Sequence, residues 1–196
     1  MSIGYRITNL HLASGERMPV LVNALTGIPL WNPTIFLVTD LRATGLATAT
    51  IAHALRAIMV SLQVLEHLGI DLEARLAECR LLGVAELDAL ADLLGLHQSE
   101  LDQLGEPTSE YLPAKHARVV SLEKVRMRVP HSDHRRLVQG ETKGIRLMYI
   151  RDYVAWLARR RLLQMDHREA GYQALAEIAR LTVDQMSVRV PSPSRG

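Results

Sequence analysis

The sequence is poor in cysteine and in aromatic residues. Cys79 is its single cysteine, which excludes an intrachain disulfide and a cysteine-based metal cluster. Aromatic residues make up 4% of the chain, whereas hydrophobic residues make up 48%. The core must therefore be built from aliphatic side chains, a composition that suits helix packing and argues against a largely disordered chain.

The chain also has no signal-peptide pattern and no uninterrupted apolar run. Residues 1–9 do not show a charged segment followed by an apolar one. The most apolar stretch, 51–65, is interrupted by His53, Arg56 and Gln63, so it does not resemble a membrane span. These absences predict a soluble, cytoplasmic protein without membrane contact.

Motifs for catalysis and for cofactor binding are missing. There is no glycine-rich phosphate loop, no Gly-x-Ser-x-Gly and no His-Glu-x-x-His. His131 and His134 lie in a polar segment without a third ligand nearby, whereas zinc sites use three or four ligands. We expect neither a metal nor a cofactor.

Charge is the first positive signal, because a net charge of only +2 hides a strong asymmetry. Acidic residues dominate 66–110, where the only Lys or Arg residues are Arg75 and Arg80. Basic residues dominate 115–161. Clustered cations are typical of proteins that bind a phosphate backbone, although a solvated basic face without a partner fits this charge pattern equally well.

Hydrophobic periodicity predicts a mainly helical fold behind an N-terminal β-hairpin. The hairpin strands are expected at 5–12 and 17–22, with a turn between them. In the second helix, Ile51, Leu55, Ile58, Leu62 and Leu65 recur at the spacing of one buried stripe. The predicted helices cover 33–44, 47–68, 71–82, 84–94, 142–161 and 168–186, with a small β insert at 119–129 and a linker at 188–196. Asn32, which precedes Pro33, and Asp71 are the expected N-caps of the first and the third of these helices.

Two segments resemble the core-binding domain of tyrosine recombinases, the phage-integrase family. The similarity spans about 29–161 and consists of loosely spaced residues. The first segment is 32–42 (NPTIFLVTDLR), followed by Gly45 and by a helix that opens with Thr48 and Thr50. The second segment contains Thr142, Arg146-Leu147, Ile150, Tyr153, Trp156-Leu157 and Arg159-Arg160.

The resemblance implies a SAM-like four-helix domain that forms half of a clamp around double-stranded DNA. It divides the chain into a hairpin and loop at 1–30, the core-binding domain at 31–163, and a C-terminal helix and linker at 164–196. Two of its helices would face the DNA grooves. The residues expected to contact DNA are Thr48, Thr50, His53 and Arg56 on one helix, Lys143, Arg146 and Tyr149 on the other, and Arg135 and Arg136 in the approach to it.

The same resemblance predicts that this chain does not cut DNA. In the family, the catalytic domain follows the core-binding domain, and the tail at 188–196 would lead towards it. His53 and Arg56 have the His-x-x-Arg spacing of the family's catalytic site, but the next tyrosine is Tyr111, in a proline-containing segment. We therefore expect a non-catalytic DNA-binding part of an integration or recombination protein, with other recombinase protomers as further partners.

Two other functions are compatible with the sequence. The leucine-rich acidic segment 84–94 could dock a partner protein, which would make the chain a helical adaptor. Alternatively, a short turn at Gly45 between the first two helices could form a helix-turn-helix, which would make the chain a small transcription regulator.

Overall fold

The structure, a computed structural model, describes residues 4–102 and 136–190, and this part of the chain is mainly helical. It opens with a hairpin of β1 (Tyr5–His11) and β2 (Arg17–Asn23), paired antiparallel as the sequence predicts. Gly15, with a φ of 82°, makes the turn between the two strands. The helices are α1 (Trp31–Phe36), a π-helical segment (Leu37–Arg42), α2 (Thr48–His67), α3 (Leu72–Ala77), α4 (Val84–Leu94), α5 (Gln98–Asp102), α6 (Gly140–Leu163) and α7 (Ala170–Arg189).

The central helix of the fold is α2, which packs against the hairpin, α4 and α6. Ile51, Leu55, Ile58 and Leu65 are buried, as their spacing predicts, and Leu62 is partly buried. By length and composition alone α2 could cross a membrane, but half of its most apolar stretch is buried within the fold. Its apolar side is therefore explained by the core that surrounds it.

The helix predicted at 33–44 starts earlier and changes its geometry. It begins at Trp31 with Leu30 as the N-cap, so the prediction that Asn32 caps this helix is wrong. From Leu37 onwards the turns widen into the π-helical segment. There the Thr39 hydroxyl donates to the carbonyl of Ile35 at 2.9 Å, and such a side-chain bond can disturb the regular backbone ladder.

The helix predicted at 71–82 ends at Ala77, although Asp71 caps its start as expected. The early end comes from a Schellman motif, in which the N–H of Arg80 donates to Arg75 O and that of Cys79 donates to Leu76 O. Cys79 takes the left-handed conformation, with a φ of 53°, at the position that glycine usually fills. A non-glycine residue there hid the helix end from sequence analysis.

The C-terminal helix is longer than predicted and belongs to the fold. It runs to Arg189, so residues 188 and 189 are not part of a linker. Leu175 and Met186 are buried, and α7 packs against α6 and α4. The Arg189 guanidinium also donates to Asp88 Oδ1 on α4, through Nε at 2.9 Å and Nη2 at 2.7 Å, which fixes the end of the helix.

Several sequence predictions fall on residues outside the described ranges. They are the β insert at 119–129, the histidines His131 and His134, the candidate Arg135, the nearby bases Lys115, Arg118, Lys124, Arg126 and Arg128, and the tail from 191 onwards. They stay predictions.

Candidate nucleic-acid interface

The first half of α2 carries four of the residues predicted to contact DNA. Thr48, His53 and Arg56 are exposed, and Thr50 is half-buried. Neither His53 nor Arg56 has a hydrogen-bond or ion-pair partner within residues 4–102 and 136–190. Ile51 and Leu55 of the same turns are buried, so the polar side chains are left on the solvent side of the helix.

The start of α2 adds a positive potential to this surface. Its N-cap is Ala47, which provides no side-chain hydrogen bond, and its first turn contains no acidic residue. The first amide groups of this 20-residue helix therefore have no side-chain cap, and they carry the positive end of the helix dipole. Exposed amides, a threonine hydroxyl and an arginine in this order can bind phosphate oxygens.

The residues predicted to contact DNA on α6 and just before it differ in how strongly they interact with the rest of the protein. The ammonium of Lys143 lies 3.9 Å from Asp92 Oδ1, and the lysine stem packs beside Gly95, just after α4. Tyr149 is half-buried against the core, and burial, with a smaller contribution from the Asp152 charge, raises the pKa of its phenol. Arg136 is exposed, and its backbone carbonyl accepts from the N–H of His97 at 2.9 Å.

Arg146 has a structural contact that the sequence did not reveal. Its Nη1 donates to Leu94 O at 2.9 Å and to Leu96 O at 2.8 Å, so the guanidinium closes the C-terminal end of α4. Leu94 and Leu96 are buried, and the partial burial of Arg146 lowers the pKa of its guanidinium. Arg136, Lys143 and Arg146 thus meet at one segment, 94–97. Within the described ranges, no hydrogen bond or ion pair links this group to the one on α2.

We expect Arg146→Met to lower the free energy of unfolding by about 2 kcal/mol, because the two carbonyls would be left without a charged donor. Urea unfolding followed by circular dichroism measures this decrease. Arg151→Met is the matched control: Arg151 is also partly buried on α6, but among the described residues it bonds only its neighbour Asp152. The control should change stability by less than about 0.5 kcal/mol. Equal decreases in the two variants would contradict the capping role.

A second polar group, which the sequence pattern did not indicate, joins α1, α3 and α6. Asn32 is buried; its Nδ2 donates to Glu73 Oε1, and its Oδ1 accepts from Arg160 Nη1. The Arg160 guanidinium also lies 5.5 Å from the centre of the Trp156 ring. These contacts use Arg160 for packing, whereas its neighbour Arg159 stays exposed, 3.8 Å from Asp40.

Comparison with known proteins finds no matching protein family, no matching curated protein and no matching solved structure. Support for the interface therefore comes from the chemistry of its own residues.

Proposed function

We propose that this chain binds double-stranded DNA, with the first half of α2 as its main contact surface. The observation that carries the proposal is the set of solvent-facing groups on that half-helix, where Arg56 and His53 have no acidic partner among the described residues. Most other described arginines contact a carboxylate or a carbonyl, as Arg75, Arg146 and Arg189 do. An unpaired cation on the solvent side of a helix is suited to phosphate.

The biological setting we propose is site-specific recombination or integration. It rests on the sequence resemblance of 29–161 to the core-binding domain of tyrosine recombinases. With it we propose that this part of the chain has the SAM-like four-helix arrangement of that domain. In this setting the chain is the non-catalytic half of a clamp around DNA. Cleavage of a DNA strand by the purified chain would contradict the non-catalytic part of the proposal.

We expect Arg56→Glu to weaken binding of the full chain to a fluorescent random duplex by about tenfold, because attraction to a phosphate is replaced by repulsion. Anisotropy titrations at about 50 mM and about 200 mM salt measure the affinity and its salt dependence. The plot of log affinity against log salt should become shallower, with a slope that changes by about one for each arginine–phosphate pair removed.

Arg180→Glu is the matched control, since it makes the same change of net charge on α7, where Arg180 pairs with Glu177 and Asp184. It should leave the affinity within about twofold of wild type. Equal weakening in both variants would show that only the net charge matters. No binding by the wild type at the lower salt concentration would refute DNA binding altogether. The double variant Lys143→Glu/Arg146→Glu is a poorer probe of DNA contact, because we expect removal of the Arg146 guanidinium to destabilise the fold as well.

The adaptor function finds less support in the structure. Its docking surface was expected on the leucine-rich segment 84–94. The leucines of that segment, Leu87, Leu90, Leu93 and Leu94, are all buried. Their apolar face packs inside the fold and is not available to a partner.

A further inference from the structure

The two outer edges of the hairpin differ in a way that indicates a binding surface. In an antiparallel ladder, alternate residues exchange hydrogen bonds with the partner strand, and the others turn their N–H and C=O outwards. The N–H of Ala24 donates to Gly4 O, and that of Leu12 donates to Glu16 O. Even-numbered residues of β1 therefore bond to β2, whereas Tyr5, Ile7, Asn9 and His11 direct their backbone groups to the outer edge.

The outer edge of β2 is already protected. Pro19 lies opposite Asn9, at an outward position, so it has no N–H to offer there. Further along, the N–H of Leu30 donates to Leu21 O and the N–H of Asn23 donates to Ile28 O. The segment after β2 thus folds back and pairs with its edge.

Among residues 4–102 and 136–190, nothing protects the outer edge of β1 in a comparable way. Its seven residues, YRITNLH, contain no proline, no lysine and no acidic residue. Within residues 4–102 and 136–190, the sheet contains two strands only, and no further backbone bonds reach Tyr5, Ile7, Asn9 or His11. Soluble proteins usually block such edges, because a regular unpaired strand readily binds another strand.

We propose that β1 is a self-association surface, at which β1 of a second copy of this chain pairs antiparallel with it about Thr8. This register brings the outward groups of both strands together, because Tyr5 then faces His11 of the second copy and Ile7 faces its Asn9. The two hairpins become one four-stranded sheet. The proposal goes beyond DNA binding and does not depend on it.

Side-chain chemistry supports a second copy as the occupant. In this register Arg6 faces Leu10 of the other copy, so the two arginines are kept apart and each aliphatic stem can cover an exposed leucine. The two Thr8 side chains meet at the symmetry axis, and threonine pairs are favourable across strands. Charges of the same sign are not opposed anywhere along the seven residues.

The helices beneath the sheet are compatible with this pairing. Each α2 packs against both strands of its own hairpin. With strands about 4.8 Å apart, the midpoints of the two hairpins would lie about 10 Å apart. Neighbouring helices commonly pack at about 8–10 Å, so the two α2 helices can lie side by side under one sheet.

The test uses the full chain, without DNA, in sedimentation equilibrium and in a cysteine cross-linking experiment. We expect a monomer–dimer equilibrium in the wild type. Asn9→Pro removes an outward N–H but no bond to β2, so it should raise the dissociation constant by about tenfold or more. Circular dichroism checks that the variant is folded. If Asn9→Pro fails to fold, the cross-linking experiment decides by itself.

The cross-linking experiment tests the register. Thr8 faces Thr8 of the other copy at a non-hydrogen-bonded position, where Cα atoms lie about 4.5 Å apart, within the range that disulfides span. Thr8→Cys should form an intermolecular disulfide under mild oxidation, and peptide mapping distinguishes it from one through Cys79. Leu10→Cys is the control, because its two copies would be about 13 Å apart. A wild type that stays monomeric, or equal cross-linking of both variants, would overturn the proposal.

Discussion

Replacing Trp156 with alanine is expected to lower the free energy of unfolding by about 3–5 kcal/mol, the largest effect of a single substitution that we predict. The Trp156 side chain connects α6 to the first helical segments. Its ring lies 5.6 Å from that of Phe36 and 6.0 Å from that of Tyr153, measured between ring centres. Its Nε1 donates to the Thr39 hydroxyl at 3.2 Å, and only 6% of the residue is exposed.

The alanine variant would leave a cavity in this cluster and remove the ring under the Arg160 guanidinium. Trp31→Ala is the control: Trp31 is 67% exposed, so removing its ring should lower the free energy of unfolding by less than about 1 kcal/mol. The destabilisation by Trp156→Phe should lie between those of the two alanine variants, because phenylalanine keeps a ring but has no N–H donor. Equal destabilisation in Trp156→Ala and Trp31→Ala, measured by urea unfolding, would contradict the packing described.

The second large effect is expected for Glu86→Gln, which should lower the free energy of unfolding by about 2 kcal/mol at neutral pH. Glu86 and Arg75 form a two-pronged pair, with Oε2 2.6 Å from Nη1 and Oε1 2.7 Å from Nη2. The Glu86 Oε2 also accepts from the N–H of Gly83 at the start of α4. Both side chains are partly buried, so the pair should stabilise the fold more than a surface pair does and less than a fully buried pair does.

This contribution should depend on pH. Burial by itself raises the pKa of the Glu86 carboxyl, but the hydrogen bonds from Arg75 and Gly83, with the charges of Arg75 and Arg80, outweigh it and lower the pKa below its ordinary value of 4.5. The stabilisation is therefore complete above pH 4.5 and is lost as the pH falls through the lowered pKa. The stability difference between wild type and Glu86→Gln should shrink over that acidic range.

Unfolding at neutral and at acidic pH measures this difference. Glu177→Gln is the control, because Glu177 also bonds an arginine but does so at the surface of α7. It should change stability little at either pH. A difference between wild type and Glu86→Gln that stays constant from neutral to strongly acidic pH would show that the charge of Glu86 does not stabilise α4.

Local patterns predicted most of the secondary structure. The hairpin strands alternate, and α2, α4 and α6 place apolar residues at helical spacing, so their existence and approximate ends follow from the sequence alone. The predictions are wrong where a residue distant in the sequence, or an unusual backbone conformation, determines the role of a side chain or the end of a helix. Asn32 looks like a helix cap, yet its side chain bonds Glu73 and Arg160 instead. Cys79 ends α3 in a conformation that the sequence signals only when glycine is present.

The candidate interface was predictable only as a set of residue types. A cluster of arginines indicates a phosphate-binding surface, but the sequence cannot tell which arginine is free. Arg146 seemed as suitable as Arg56, yet it closes the end of α4, whereas Arg56 lies on the solvent side of α2. The sequence also did not show that, within the described part of the chain, Pro19 and the segment after β2 protect only the edge opposite to β1.

The sequence by itself determined the aliphatic core, the helical class, the N-terminal hairpin and the uneven distribution of charge. All of these depend on composition and on short-range spacing, which a linear sequence contains. Only the tertiary structure decided which polar groups are used up by packing and which remain available to a ligand. The physical reason is that hydrogen bonds and burial arise between segments far apart in the chain, as between Arg146 and the carbonyls of Leu94 and Leu96.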